Sequence, residues 1–227
     1  MSNYLRLKKM LYVVSLAAVS IVLSLIEIPW LIVPAFAFLK IDFSEIAILV
    51  ALLVLGTKET FLVVLVRSIV RRLFRGFAPD ELVGELLAVF ASFSIILGYN
   101  LARRFLKMKE KPLFYEVSVN NDKITKKEFI VTTLTITLCL TLILWAVNFL
   151  FTTPFYFSYF AALNTEGQIV GTLHFSVFTW IPNAMFESIR SFLWFTLVGY
   201  IPFNLTKGIL MSVIFLMIKP RLKYLEL

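Results

Sequence analysis

Apolar residues fall into six runs separated by polar breaks, and these runs predict helices over residues 10–33, 44–55, 59–74, 81–101, 128–151 and 202–218. A full crossing of a bilayer takes about 20 apolar residues, so the second run is short for one. Pro29 is expected to bend the outer end of the first helix, and a loop over residues 34–43 follows. Gly56-Thr57-Lys58 makes a tight turn, and Arg75 to Asp80 breaks the chain between the third and fourth helices. A basic, polar stretch over residues 102–127 ends on Asn120-Asn121-Asp122, a turn signal. Thr125-x-x-Glu128 then fits a capping box opening the fifth helix. Pro154 marks the outer end of that helix. Residues 152–201 read as a long outer connection with Asn164, Gly167, Gly171 and Pro182, including a short apolar helix over 186–199 at the outer surface. Pro202 suits the first turn of the sixth helix.

Composition turns this pattern into a membrane protein. The 227 residues are 60% hydrophobic with a mean hydropathy of +0.90, against about 45–50% apolar for a soluble domain. The reading is one all-α membrane domain of six transmembrane helices. The net charge of +8 is not a nucleic-acid signature, because of where the charges sit. Basic residues cluster at Arg6, Lys8 and Lys9, through 103–127, and at Lys219, Arg221 and Lys223. Basic clusters beside apolar spans mark cytoplasmic loops, which sets both termini inside. A basic start, an apolar run over 11–26 and Ala35-Phe36-Ala37 imitate a signal peptide, but Glu27, Pro29 and Pro34 intervene and favour a retained first helix.

No catalytic motif survives inspection. Cys139 is the sole cysteine and His174 the sole histidine, too few for a disulfide or a zinc site. Gly56-Thr57-Lys58 lacks the earlier glycine of a phosphate-binding loop. Asn204-Leu205-Thr206 matches a glycosylation sequon by chance, inside an apolar run.

Three polar constellations remain. In the first, Ser44 or Asp42 caps the second helix, Glu45 suits its positive first turn, and Lys40 pairs with Asp42 or Glu45. In the second, Arg67, Arg71 and Arg72 on the third helix face Glu81 and Glu85 on the fourth, either neutralising each other or holding a ligand. The third is Asn204 with Lys207, on one face of the last helix. A lysine near mid-membrane costs roughly 2.5–3.5 kcal/mol on insertion scales. It therefore needs a ligand or a carboxylate, Glu85 being the candidate. Ala17, Ser20 and Ser24 form a stripe of small residues on the first helix, fit for close approach of another helix, inside or outside the chain.

In order along the chain, Leu39-Lys40-Ile41-Asp42-Phe43-Ser44-Glu45, Gly56-Thr57-Lys58, Gly84-Glu85-Leu86, Asn148 with Pro154 and Tyr156, and Pro202 to Gly208 resemble the substrate-binding S components of energy-coupling factor vitamin transporters, the riboflavin-specific type in particular. The resemblance implies a six-helix bundle in a prokaryotic plasma membrane that binds riboflavin from outside. It implies no enzymatic activity and no cofactor, with ATP used by partners. Those partners would be a transmembrane coupling subunit and two cytoplasmic ATPases. By position, Asn204, Lys207 and Asn148 are implied as flavin ligands, with Leu39, Lys40 and Asp42 in the closing loop and Glu85 and Tyr156 beside the pocket. The stripe Ala17, Ser20 and Ser24 is implied as the docking face for the coupling subunit. The chain departs from the family pattern at Arg67-Ser68, where Lys-Asn is frequent, and at Ala88, which stands where an amide is frequent. The departures and the outer arginines keep another vitamin or an anionic ligand (FMN, folate, pantothenate) as an alternative. A membrane enzyme or assembly factor using the arginine–carboxylate cluster on lipid head groups is the alternative from another class.

Overall fold

A computed structural model of the chain describes residues 3–32, 36, 39–108, 112–114, 124–180 and 186–224. The expected turn at Asn120-Asn121-Asp122, Pro182, and most of the loop from Val33 to Phe38 lie outside the described residues. The elements are α1 (Asn3–Leu23), β1 (Glu27–Pro29), β2 (Lys40–Asp42), α2 (Ser44–Leu55), α3 (Thr57–Arg75), α4 (Pro79–Phe105), α5 (Lys126–Val147), α6 (Thr153–Ala162), α7 (Val177–Trp180) and α8 (Ile189–Ile218). Among the described residues, Pro79–Phe105, Lys126–Ala162 and Ile189–Leu222 are long and apolar enough to cross a membrane.

The hub is α2, which packs against α1, α3, α4 and α8. It is apolar on every side, and all its residues except Val50 are buried, as expected of a helix without a polar face. At 12 residues it is about 18 Å long, whereas α3, leaving the same turn at Gly56, runs for 19 residues or about 28 Å. A step of roughly 10 Å is left at the N-terminal end of α2, and the candidate site occupies it.

Two glycines let α5 sit close between α4 and α8. A Cβ at Gly98 of α4 would lie 2.6 Å from the Ile136 Cα, and one at Gly208 of α8 would lie 2.8 Å from the Thr137 Cα. These contacts are with backbone, which cannot rotate away. Gly98→Val is therefore expected to push α4 off α5 and destabilise the protein by roughly 1–3 kcal/mol. A thermal midpoint in detergent equal to that of the unmodified chain would contradict this packing argument.

Three helix boundaries move from expectation for a visible reason. The first helix stops at Leu23, not residue 33, tightening through Ser24, Leu25 and Ile26 N–H bonds to Ile21, Val22 and Leu23 carbonyls. Pro29 does not bend it. It lies in β1, which pairs antiparallel with β2 in the register Glu27↔Asp42, Ile28↔Ile41, Pro29↔Lys40. Pro154 does not end the fifth helix either. A π-helical turn over Asn148–Thr152 re-registers the backbone, and the helix continues as α6 with Pro154 in its first turn, where a missing N–H costs little. The last helix begins at Ile189, capped by the reciprocal Ser188–Ser191 box, so Pro202 is interior and the expected separate helix over 186–199 is its first half. Thr125 does cap α5, accepting from the Glu128 N–H at 3.1 Å, while the Glu128 carboxylate goes to Lys219 at 2.7 Å.

The stripe on α1 is used inside the molecule. Ala17, Ser20 and Ser24 are all buried, and Ser20 Oγ donates to the Ser44 carbonyl at 3.0 Å. The expectation that this stripe faces outward for a partner is corrected accordingly, since it brings α1 against α2.

Candidate functional site

The site is a cavity of about 710 Å³ in the step above α2, within the 300–1,000 Å³ range of small-molecule sites. Leu39, Lys40 and Asp42 of the β-hairpin cover one side, and Arg71 of α3 contributes from another. Gly84, Leu87, Ala88 and Ala91 of α4 line it together with Leu144 and Asn148. Tyr156, Phe157 and Phe160 of α6 and Tyr200, Phe203, Asn204 and Lys207 of α8 complete the lining. Most of this surface is apolar, and the polar groups are few and placed one by one.

The hairpin is seated by aromatic contacts. Phe36 packs on Gly199, where a Cβ would run into its ring, with Phe195 at 4.7 Å and Tyr200 at 5.3 Å between centroids. Trp30 meets Phe203 edge-on at 5.6 Å. At the outer edge Lys40 pairs with Glu27 at 2.6 Å, not with Asp42 or Glu45 as expected, and Arg75 reaches the same carboxylate at 3.2 Å. The bond from Lys40, with Arg75 adding to it against partial burial, holds Glu27 below the usual carboxylate range.

Lys207 lies well inside α8, past its midpoint. Its partners are Glu45 at 3.2 Å and Asp42 at 3.4 Å. Glu85, the carboxylate expected for it, is instead taken by Arg72 at 3.4 Å and Arg71 at 3.5 Å. The short α2 explains the choice: its first turn and the end of β2 begin deep enough to meet the middle of α8. Asp42 also accepts from the Ser44 N–H at 3.0 Å and from the Ser44 hydroxyl. Burial opposes its charge, but Lys207 and the Ser44 bonds prevail and hold its carboxyl well below the usual range.

The other polar lining groups divide into engaged and unengaged. Asn148 is spent on its own helix, donating to the Leu144 carbonyl at 2.8 Å and accepting from Thr152 at 2.6 Å across the π turn. Tyr156 donates to the Asp80 carbonyl at 2.9 Å, and the Tyr200 hydroxyl meets Thr153 at 2.8 Å. Asn204 differs: it is 1% exposed, and its Nδ2 has no hydrogen-bond partner among the described residues. A buried amide donor without an acceptor is costly, and here it borders a cavity.

Of the residues singled out in the sequence, Leu39, Lys40, Asp42, Asn148, Tyr156, Asn204 and Lys207 line this one cavity, and Glu85 stands behind it. Two participants escaped notice as site residues. Glu45 reads in sequence as a helix-dipole partner, and its approach to Asp42 depends on the turn from β2 into α2, which the sequence pattern does not display. Arg71 was read within a neutralising cluster, and nothing in its spacing from Arg67 and Arg72 marks it as the one that lines the cavity.

Comparison with known proteins agrees with this architecture. Residues 8–219 match the family model described as ECF transporter, substrate-specific component. The chain is 26% identical over 216 residues to the riboflavin transporter RibU of Streptococcus thermophilus, covering 95% of this chain and 83% of that protein. It is similar in fold to a solved S component of a bacterial ECF transporter, with a TM-score of 0.59, 22% identity and 96% of each chain covered. The relatives are transport components, not enzymes. The chain belongs to the substrate-specific component family of ECF transporters.

Proposed function

We propose that this chain is the riboflavin-capturing subunit of an energy-coupling factor importer. The observation that carries the reading is the cavity of about 710 Å³, apolar-walled, with the Asn204 amide at its border lacking a partner among the described residues. A flavin ring offers broad flat apolar contact and carbonyl acceptors for such a donor. The similarity to a riboflavin transporter supports the same ligand.

Six helical crossings with both termini inside complete the proposal. Lys9, Lys58, Arg103, Arg104, Lys126 and Lys219 sit at one end of the bundle, near the α2–α3 turn, and the cavity is toward the other. With basic ends inside, the cavity opens outside and the β-hairpin covers it there. The chain has no nucleotide-binding motif, so ATP hydrolysis falls to partner ATPases and a membrane coupling subunit. Because Ala17, Ser20 and Ser24 are buried, that subunit docks on other surfaces of the bundle.

The test is direct binding. Purified chain in detergent, titrated with riboflavin and followed by quenching of flavin fluorescence, is expected to bind one equivalent at nanomolar concentration. Failure to bind riboflavin, with a chemically different vitamin bound instead, would sink the flavin assignment.

A further inference from the structure

We propose that Arg71 selects ligands carrying a phosphate or carboxylate group, so that the cavity prefers an anionic flavin to neutral riboflavin. This inference rests on the flavin reading above and deepens it.

Three cations line the cavity, and two are already committed. Lys40 is held by Glu27 at the outer edge, with 56% of its side chain exposed. Lys207 faces two carboxylates, Asp42 and Glu45, so its surroundings carry a net negative charge and repel an added anion. Arg71 is in the opposite situation. It makes no hydrogen bond among the described residues, and its Nε and Nη1 are buried without acceptors. Its ion-pair contact there is Glu85 at 3.5 Å, a carboxylate it shares with Arg72 at 3.4 Å.

One turn earlier, Arg67 is fully buried. Among the described residues it makes a single long hydrogen bond, from Nη2 to the Ala88 carbonyl at 3.4 Å, and no carboxylate lies within ion-pair distance of it. The layer between α3 and α4 thus sets three guanidinium groups, Arg67, Arg71 and Arg72, against two carboxylates, Glu81 and Glu85. Asp42 lies within electrostatic reach of both Lys207 and Arg71, so what Arg71 offers the cavity is a guanidinium that shares its nearest carboxylate, Glu85, with Arg72 and meets Asp42 only at longer range. A forked guanidinium with free donors matches phosphate or carboxylate geometry. A neutral ligand leaves those donors unpaired, and the penalty for burying them stays.

The experiment compares dissociation constants of the purified full-length chain for riboflavin, riboflavin 5′-phosphate and 10-carboxymethylflavin at one low ionic strength. The phosphate is expected to bind about tenfold more tightly than riboflavin. Tight binding of the carboxymethyl compound as well makes the site a general anion site; without it, the site is phosphate-selective. Arg71→Gln is expected to bring the riboflavin-to-phosphate ratio of dissociation constants to within about twofold, whatever happens to riboflavin itself. If that variant is not recovered folded, Arg71→Lys, which keeps the charge beside Glu85 but not the fork, is expected to weaken the preference clearly. Riboflavin bound as tightly as both anions, or a preference undiminished in either variant, overturns the proposal and leaves the flavin reading standing. Binding of none of the three overturns both.

Discussion

Lys207→Ala is expected to lower the thermal midpoint in detergent by on the order of 10 °C, and Glu45→Gln in the same chain to restore a substantial part of the loss. The lysine is buried between Asp42 and Glu45 at 3.4 and 3.2 Å, and Glu45 is 1% exposed. Forming such a cluster yields little net stability, because desolvation offsets attraction. Removing its one cation is different. Two carboxylates then remain in a low-dielectric setting with Ser44 as their hydrogen-bonding side chain among the described residues and Arg67 and Arg71 acting from farther away, and breaking a buried pair this way typically costs 3–5 kcal/mol. At 2–4 °C per kcal/mol for a chain of this size, the midpoint falls by about that amount. Glu45→Gln removes one orphaned charge while keeping the shape, so the double variant recovers because the two sites are coupled. An unchanged midpoint in the single variant, or no recovery in the double, would show that Lys207 is not the counter-charge of this cluster. Loss of riboflavin binding in Lys207→Ala alone does not separate a ligand contact from collapse of the hairpin that Asp42 anchors.

The same cluster shows how far local pattern carries and where it stops. That a lysine inside an apolar helix needs a partner follows from sequence alone, and so do the bounds of α2, a run with polar breaks at both ends. The identity of the partner does not follow. It depends on α2 being shorter than α3 by about 10 Å, which brings Asp42 and Glu45 to the level of mid-α8 and leaves Glu85 to the arginines. Prolines misled for a related reason. In a chain read locally, Pro154 and Pro202 signal a helix end and a helix start. Here the π turn and the packed bundle absorb the lost hydrogen bonds. Glu27-Ile28-Pro29 is too short to show the alternation of a strand, and its pairing with Lys40-Ile41-Asp42 is held from outside by Phe36 and Trp30 on α8. Small-residue spacing on α1 identified a close-approach face correctly, but the same spacing serves an internal and an external neighbour equally well.

Asn204→Leu is expected to separate binding from stability in the way Lys207→Ala cannot. Its Nδ2 is buried without an acceptor among the described residues, so the empty protein already bears the cost of desolvating that donor. Leucine has the same branched heavy-atom framework, bulkier methyl ends that the adjoining cavity can take, and no polar atoms, so the substitution removes the cost without opening a void. The thermal midpoint is expected to hold or rise slightly. Riboflavin affinity is expected to fall about 10- to 100-fold, because a ligand carbonyl desolvated against leucine loses its donor and finds no water in its place. The two readouts therefore move in opposite directions, whereas loss of a packing residue moves them together. Undiminished riboflavin affinity would mean that the ligand does not use this amide. A lowered midpoint would mean that Asn204 is bonded within the bundle and its place beside the cavity is incidental.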